Sequence, residues 1–207
     1  VVGTLISMFL TATLAYPLST ADLQGKKTLM SLLVFTMFFN GGMVPNYYLV
    51  RSLGLVDSIW ALMLPGAMSV YNMILMKNSF DGLPVSLKES ARIDGASDLG
   101  IFIRIVLPLS MPIIATLTLF YAVGKWNSYF NAILYIRDRS KWTLQLLLRE
   151  IVYQTQTLLN DSTDIASLPS QSIKYAVIVV AILPIMCVYP FLQRFFVKGV
   201  MVGAVKG

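Results

Sequence analysis

The stretch Ser86–Pro112, SLKESARIDGASDLGIFIRIVLPLSMP, sets acids, bases, Ser and Gly between two long apolar runs. Pro84 precedes it, and Ser86 to Glu89 has the spacing of a capping box, so a helix is predicted to begin there. Asp94-Gly95 is a natural stop, because Gly tolerates the left-handed conformation that ends helices. The product is a helix of about two turns with Leu87, Ala91 and Asp94 along one side. A second helix is predicted to restart near Ser97 or Asp98 and to run through Phe102 and Ile105 into the following apolar run. So short a helix is marginal alone and needs something to pack against. The small residues Ser90, Ala91, Gly95 and Ala96 would admit another protein's backbone. Two readings are open for this island, a plain connector or a docking element.

The surroundings place the island in a membrane protein. Of the 207 residues, 57% are hydrophobic and 13% charged, and mean hydropathy is +0.72, too apolar for an ordinary soluble domain. Crossing a hydrocarbon core takes about 20 helical residues. Five candidate spans emerge: Val1–Leu18, Leu29–Val44, Val56–Met76, Ile105–Tyr135 and Tyr175–Leu192. The second is short and could extend past Pro45, and the first lacks an initiator Met and a charged flank, so further sequence is expected before it. Pro65, Pro108, Pro112, Pro184 and Pro190 are expected to kink or start helices.

If the spans alternate, Lys26, Lys27, Lys77, Lys88, Arg92, Arg104, Arg194, Lys198 and Lys206 share one side, nine of the sixteen basic residues. That side is assigned to the cytoplasm. The chain then reads as one transmembrane domain, 1–207, with a cytoplasmic segment 84–104, an extracytoplasmic loop 137–172 and a cytoplasmic tail 194–207. Topology accounts for the net charge of +6, and no nucleic acid partner is implied.

Residue usage excludes several chemistries. There is no His, and Cys187 stands alone in the last apolar run, where it reads as a buried structural thiol. A Cys/His metal site, a His general base and a Ser-His-Asp triad are therefore impossible within the chain. Gly95 and Gly100 have the spacing of a phosphate-binding loop, but Ile101 and Phe102 stand where Lys and Ser/Thr are needed. No catalytic, cofactor or metal residues are expected, and any nucleotide energy would come from another subunit.

Polar residues inside the spans are the candidates for a transport path. In YAVGKWNSYFN, Tyr121, Gly124, Ser128 and Asn131 recur at helical spacing on one face, with Asn127 beside it. They either line a hydrophilic pathway or form a packing seam near the outer interface, with Lys125 snorkelling and Trp126 in the aromatic belt. Asn72 has the same two readings. The segment Arg137–Ser172 is too polar to insert, and Leu144, Leu147, Leu148, Ile151 and Val152 form a helical stripe for a membrane surface, a partner or the bundle itself.

The string ESARIDGASDLGIFIRIVLPLSMP resembles the EAA motif of inner-membrane permease subunits of binding-protein-dependent ABC importers. That pattern is Glu-Ala-Ala, a Gly four positions after the third residue and a later Ile-x-Leu-Pro. Here it reads Glu89-Ser90-Ala91, Gly95 and Ile105-Val106-Leu107-Pro108, with Ser90 the one departure. The tail FVKGVMVGAVKG and the segment GGMVPNYYLVRSLGL are similar to those of carbohydrate-uptake permeases of the maltose-transporter type. The resemblance spans essentially the whole chain.

It implies an all-α type I ABC importer transmembrane domain with five visible helices and a short cytoplasmic coupling helix. It also implies a second homologous permease, two cytoplasmic ATPase subunits that hold ATP and Mg, an extracytoplasmic solute-binding protein and a sugar substrate. Glu89, Ser90, Ala91, Asp94 and Gly95 would then seat in the ATPase, and Lys198, Gly199 and Gly203 of the tail would touch it too. Asn160, Asp161 and Ser162 would meet the binding protein. A non-sugar solute is the alternative cargo. A secondary transporter is disfavoured because no ionisable residue is placed deep in a span, and a membrane enzyme because nucleophile and metal ligands are missing.

Overall fold

The computed structural model describes the backbone of residues 1–20, 23–161 and 170–204, and the side chains of residues 1–20, 23–155 and 172–190. Every regular element among them is helical: α1 Val2–Ser19, α2 Lys26–Phe38, α3 Met43–Ser52, α4 Trp60–Met63, α5 Val70–Asp81, α6 Val85–Ile93 and α7 Asp98–Ile101. A π-helical turn, Phe102–Val106, leads to α8 Leu107–Leu109, α9 Met111–Trp126 and α10 Tyr129–Tyr135. A 3-10 turn at Arg139–Lys141 precedes α11 Leu144–Asp161 and α12 Ser170–Ala204.

α1 is the hub. Its buried residues Gly3, Thr4, Ser7, Thr11, Ala12, Ala15 and Leu18 recur every three to four positions and are mostly small, which lets neighbouring backbones come close. Against this stripe pack Met73, Met76 and Phe80 of α5 and Leu117 of α9, with Ile101, Phe102 and Val106 closing one end of the core. Tyr16 lies against Phe102 with centroids 4.7 Å apart, and Phe102 meets Phe80 edge-on at 6.3 Å. The end of α7 and the π turn are thereby fixed onto α1 and α5.

Hydropathy misjudged the spans where the backbone breaks. Val56–Met76 is not one helix: Pro65 supplies no N–H, Gly66 takes φ +65°, and only α4 and α5 on either side are helical. The run Ile105–Tyr135 is split at Ser110, where Asp98–Leu109 and Met111–Trp126 meet at 81°, and again at Asn127-Ser128. Pro108 and Pro112 flank the first break, removing the N–H groups that would carry a straight helix through it. α2 ends at Phe38, short of Val44, and α3 departs at 110° after a turn in which Asn40 Oδ1 accepts from the Gly42 N–H at 2.9 Å. Among the described residues, Val2–Ser19 and Ser172–Pro190 are long and apolar enough to cross a membrane, and each bent pair qualifies when taken together. Cys187, expected in the interior, is exposed on α12 because that stretch buries none of its residues in this chain.

Candidate functional site

The island folds largely as its residues dictate. Gly95 has φ +80°, its N–H donates to Arg92 O at 3.0 Å, and the Ala96 N–H reaches back to Ala91 O at 2.9 Å. This is the Schellman closure, which satisfies the last carbonyls of α6 and requires a left-handed residue. A Cβ on Gly95 would meet nothing within 4 Å, so backbone conformation alone demands glycine in this chain. The helix restarts where expected, with Ser97 Oγ accepting from the Gly100 N–H at 3.2 Å. The capping box does not form: Pro84 is the N-cap, and Ser86 falls inside the helix.

No residue of α6 is buried. The expected stripe of Leu87, Ala91 and Asp94 is also corrected, for the less exposed residues are Lys88 and Ala91 while Leu87 and Asp94 face outward. Ala91 packs on the core cluster beside Leu83. Polar ties supply the remaining attachment. Lys88 Nζ donates to Phe80 O at 3.1 Å, at the C-terminal end of α5 where the helix dipole favours a cation. Burial pushes the Lys88 ammonium below the usual lysine range, and Asp81 opposes that shift. Arg92 pairs with Asp98 Oδ1 at 3.1 Å, and the Tyr16 hydroxyl donates to the Asp98 carbonyl at 3.2 Å. α6 is therefore linked to α5, α7 and α1. A cleft of about 230 Å³ between α6 and the end of α1 is lined by Tyr16, Asp81, Lys88, Glu89 and Arg92. Glu89, Ser90, Asp94 and Gly95 are exposed beside it.

The suggested pathway face divides. Because α9 ends at Trp126, Tyr121, Gly124, Ser128 and Asn131 do not share one helix. Tyr121 is buried, its hydroxyl 2.7 Å from Thr11 Oγ1 and accepting from the Ser69 N–H at 3.0 Å. It ties α1 and α9 to the turn before α5. Asn72 is buried on α5, where its N–H donates to the N-cap Ser69 Oγ. Gly124 and Asn127 are exposed, and the Ser128 hydroxyl turns back to Lys125 O at 2.7 Å. Asn131 joins Asn46, Pro65, Gly66 and Tyr135 around an open cleft of about 460 Å³. Trp126, expected in an aromatic belt, donates to Ala181 O of α12 at 3.0 Å.

A second polar cluster lies at the end of the bundle away from α6. Asp57 holds φ +63°, its N–H donates to Tyr135 O at 2.8 Å, and its Oδ1 accepts from the N–H groups of Arg137 and Asp138 at 3.0 and 2.9 Å. Lys141 donates to Asp57 O at 2.9 Å. The bond from the Asp138 N–H, joined by that from Arg137 and by the Lys141 ammonium, holds the Asp57 carboxyl below the usual carboxylate range although burial opposes them. α11 follows as an amphipathic helix, but among its described side chains Leu146 and Leu148 are buried while Leu144 and Ile151 stay exposed.

Comparison with known proteins decides the family. The family described as "Binding-protein-dependent transport system inner membrane component" matches residues 1–202. The chain belongs to it. It is 54% identical over 210 residues to the "Polygalacturonan/rhamnogalacturonan transport system permease protein YtcP" of Bacillus subtilis (strain 168), covering 100% of this chain and 73% of that one. It is 53% identical over 209 residues to "Protein LplC" of the same organism, covering 100% and 71%. A crystal structure of a bacterial ABC transporter involved in the import of the acidic polysaccharide alginate matches with a TM-score of 0.80 and 34% identity, over 94% of this chain and 70% of that one.

This inner-membrane permease is thus an all-helical, multi-pass membrane subunit of the ABC importer class. The site residues that sequence reasoning missed are Tyr16, Lys88 and Asp98 around α6, and Asp57 at the far end. Their partners lie on other elements, so no local pattern marks them. Lys198, Gly199 and Gly203 lie on α12, and Asn160 and Asp161 end α11, with side chains outside the described residues; Ser162 lies outside them altogether.

Proposed function

We propose that this chain is one of two permease subunits of an ATP-driven importer of oligosaccharides, and that its ATPase partners act on it through α6. The observation that carries the reading is α6 itself, a nine-residue helix with no buried residue, closed by Gly95 at φ +80° and standing on an otherwise apolar bundle. An exposed helix of that length needs a partner, and its ties to α5, α7 and α1 give a partner's push somewhere to go. The permeases it resembles support a carbohydrate cargo.

In this reading α6 faces the cytoplasm and seats Glu89, Ser90, Asp94 and Gly95 in the ATPase, with Ala91 on its inner side. The tail residues Lys198, Gly199 and Gly203 add a second contact. ATP and Mg²⁺ are held by the two ATPase subunits, which perform the hydrolysis, and this chain binds no cofactor. Closure of the ATPases displaces α6 together with α7. The π turn and the 81° bend at Ser110 pass that displacement to α9 as a change of tilt. The second permease supplies the other half of the path. A solute-binding protein delivers the sugar at the far end and meets Asn160, Asp161 and Ser162.

The test is reconstitution of this chain with its partner permease, ATPase pair and binding protein in proteoliposomes. Uptake of labelled oligosaccharide should require both ATP and the binding protein. Uptake driven by an ion gradient without ATP would overturn the reading in favour of a secondary transporter.

A further inference from the structure

Lys125 is a half-buried cation in the last turn of α9. Its ammonium donates to Met63 O at 3.1 Å and Leu62 O at 3.4 Å, carbonyls at the end of α4 freed by the break at Pro65-Gly66. No carboxylate among the described residues pairs with it. An ammonium has three donors, so one remains for another acceptor. The side chain runs beside Gly3 of α1, where an added Cβ would sit in ordinary contact, 3.6 Å from Lys125 Cδ and Cε.

The residue lines a cleft of about 520 Å³ between α1, α9 and α12, whose walls include Thr4, Leu5, Ala122, Trp126 and Pro184. Apolar walls leave a charge poorly screened and lengthen its reach. A cap on the four-residue α4 does not require a charge, since an amide donates to the same carbonyls without desolvating an ion. A cation near a helix end that turns onto backbone carbonyls within the protein, rather than out to water, is a candidate for a function that uses its charge. Two of the similar proteins carry names that specify acidic polymers: polygalacturonan, a chain of uronic acids, and alginate.

We propose that Lys125 is the counter-charge for the carboxylate of a uronic-acid-bearing oligosaccharide in transit, making this permease selective for acidic over neutral chains. The inference rests on the reading of the protein as an oligosaccharide importer. Lys125 stands four positions after Tyr121 and just before the Asn127-Ser128 break, so the carboxylate meets it at the end of the bundle where the sugar enters.

The experiment measures uptake of trigalacturonate and of its fully methyl-esterified, neutral form by the complete reconstituted transporter. Lys125→Gln keeps a donor for the α4 carbonyls but removes the charge; Lys125→Arg keeps the charge. The glutamine variant should lose about tenfold or more of acid uptake, as expected for removing one partner of a poorly solvated charge pair, and retain ester uptake. The arginine variant should retain acid uptake. Equal loss of both substrates in Lys125→Gln, or no loss of acid uptake, overturns the proposal by reducing Lys125 to a cap. Wild-type uptake of neutral oligosaccharides without preference for the acid overturns it while leaving the importer reading intact. Absence of any carbohydrate uptake by wild type defeats the importer reading instead.

Discussion

The Asp57 carboxylate accepts the backbone N–H of Asp138 at 2.9 Å across eighty-one positions of sequence. The bond, with its twin from Arg137, fastens the entry of α11 to the turn between α3 and α4. A left-handed φ of +63° at a non-glycine residue is uncommon, and Asp and Asn tolerate it best. Asp57→Asn should therefore keep the turn and one acceptor, whereas Asp57→Val should lose both. Limited trypsinolysis after Arg137, Arg139 and Lys141 reads the difference: cleavage should accelerate strongly in the valine variant and little in the asparagine one. The folded pKa is depressed, so the clasp contributes fully above the unfolded value of about 3.9 and fades as pH falls through the lower folded value. Unchanged cleavage rates in Asp57→Val would remove the clasp from the account.

Tyr121→Phe removes the hydroxyl shared by Thr11 and Ser69 and leaves a backbone donor unpaired. The expected loss is about 1 kcal/mol, between the ~0.6 kcal/mol mean for hydrogen bonds between membrane helices and the 1–3 kcal/mol for an orphaned buried group. Unfolding in mixed micelles, in a cycle with Thr11→Val, should show non-additivity. Strict additivity would mean that the two hydroxyls do not interact.

What could be read from the sequence was what local backbone chemistry determines. The close of α6 at Gly95 and the restart at Ser97 rest on residues within a few positions of each other, and both form. The capping box failed by the same logic, since Pro84 occupies the N-cap and draws Ser86 into the helix. Hydropathy located apolar runs but registers side chains rather than backbone path. It therefore runs straight through a glycine at +65° after a proline and through the two prolines around Ser110, of which Pro112 stands in the first turn of α9. The shared polar face dissolved for a related reason: its spacing is helical, but the helix stops at Trp126. Asp57 and Asp98 act on partners far along the chain, which periodicity cannot show.

Gly95→Leu and Gly95→Asn separate conformation from contact. With open space around the glycine, leucine costs this chain only the left-handed backbone, about 1–2 kcal/mol, while asparagine costs less. If α6 seats in the ATPase, Gly95→Leu should abolish co-purification of the ATPase from membranes in which the permease is still inserted. Gly95→Asn should retain part of it. Full co-purification and wild-type transport in Gly95→Leu would leave the island a connector.

Asp98 receives Arg92 on its carboxylate and Tyr16 on its carbonyl, and so ties α6 to α7 and α1. The Arg92–Asp98 pair is exposed on both sides, so it contributes roughly 0–1 kcal/mol to stability and weakens with salt. Its value would then lie in alignment, because α6 buries no residue and depends on such ties to move with the bundle. Tyr16→Phe deletes the bond to Asp98 while keeping the ring against Phe102, and Asp98→Asn deletes the ion pair while keeping the carbonyl. Neither change should alter assembly or thermal stability by more than about 1 kcal/mol. The double variant should hydrolyse ATP in response to the binding protein yet import fewer sugars per ATP than either single variant, since α6 would move without carrying α7 and α1. A wild-type ratio of sugar to ATP in the double variant would show that the packing of Ala91 and the Lys88 bond to α5 suffice.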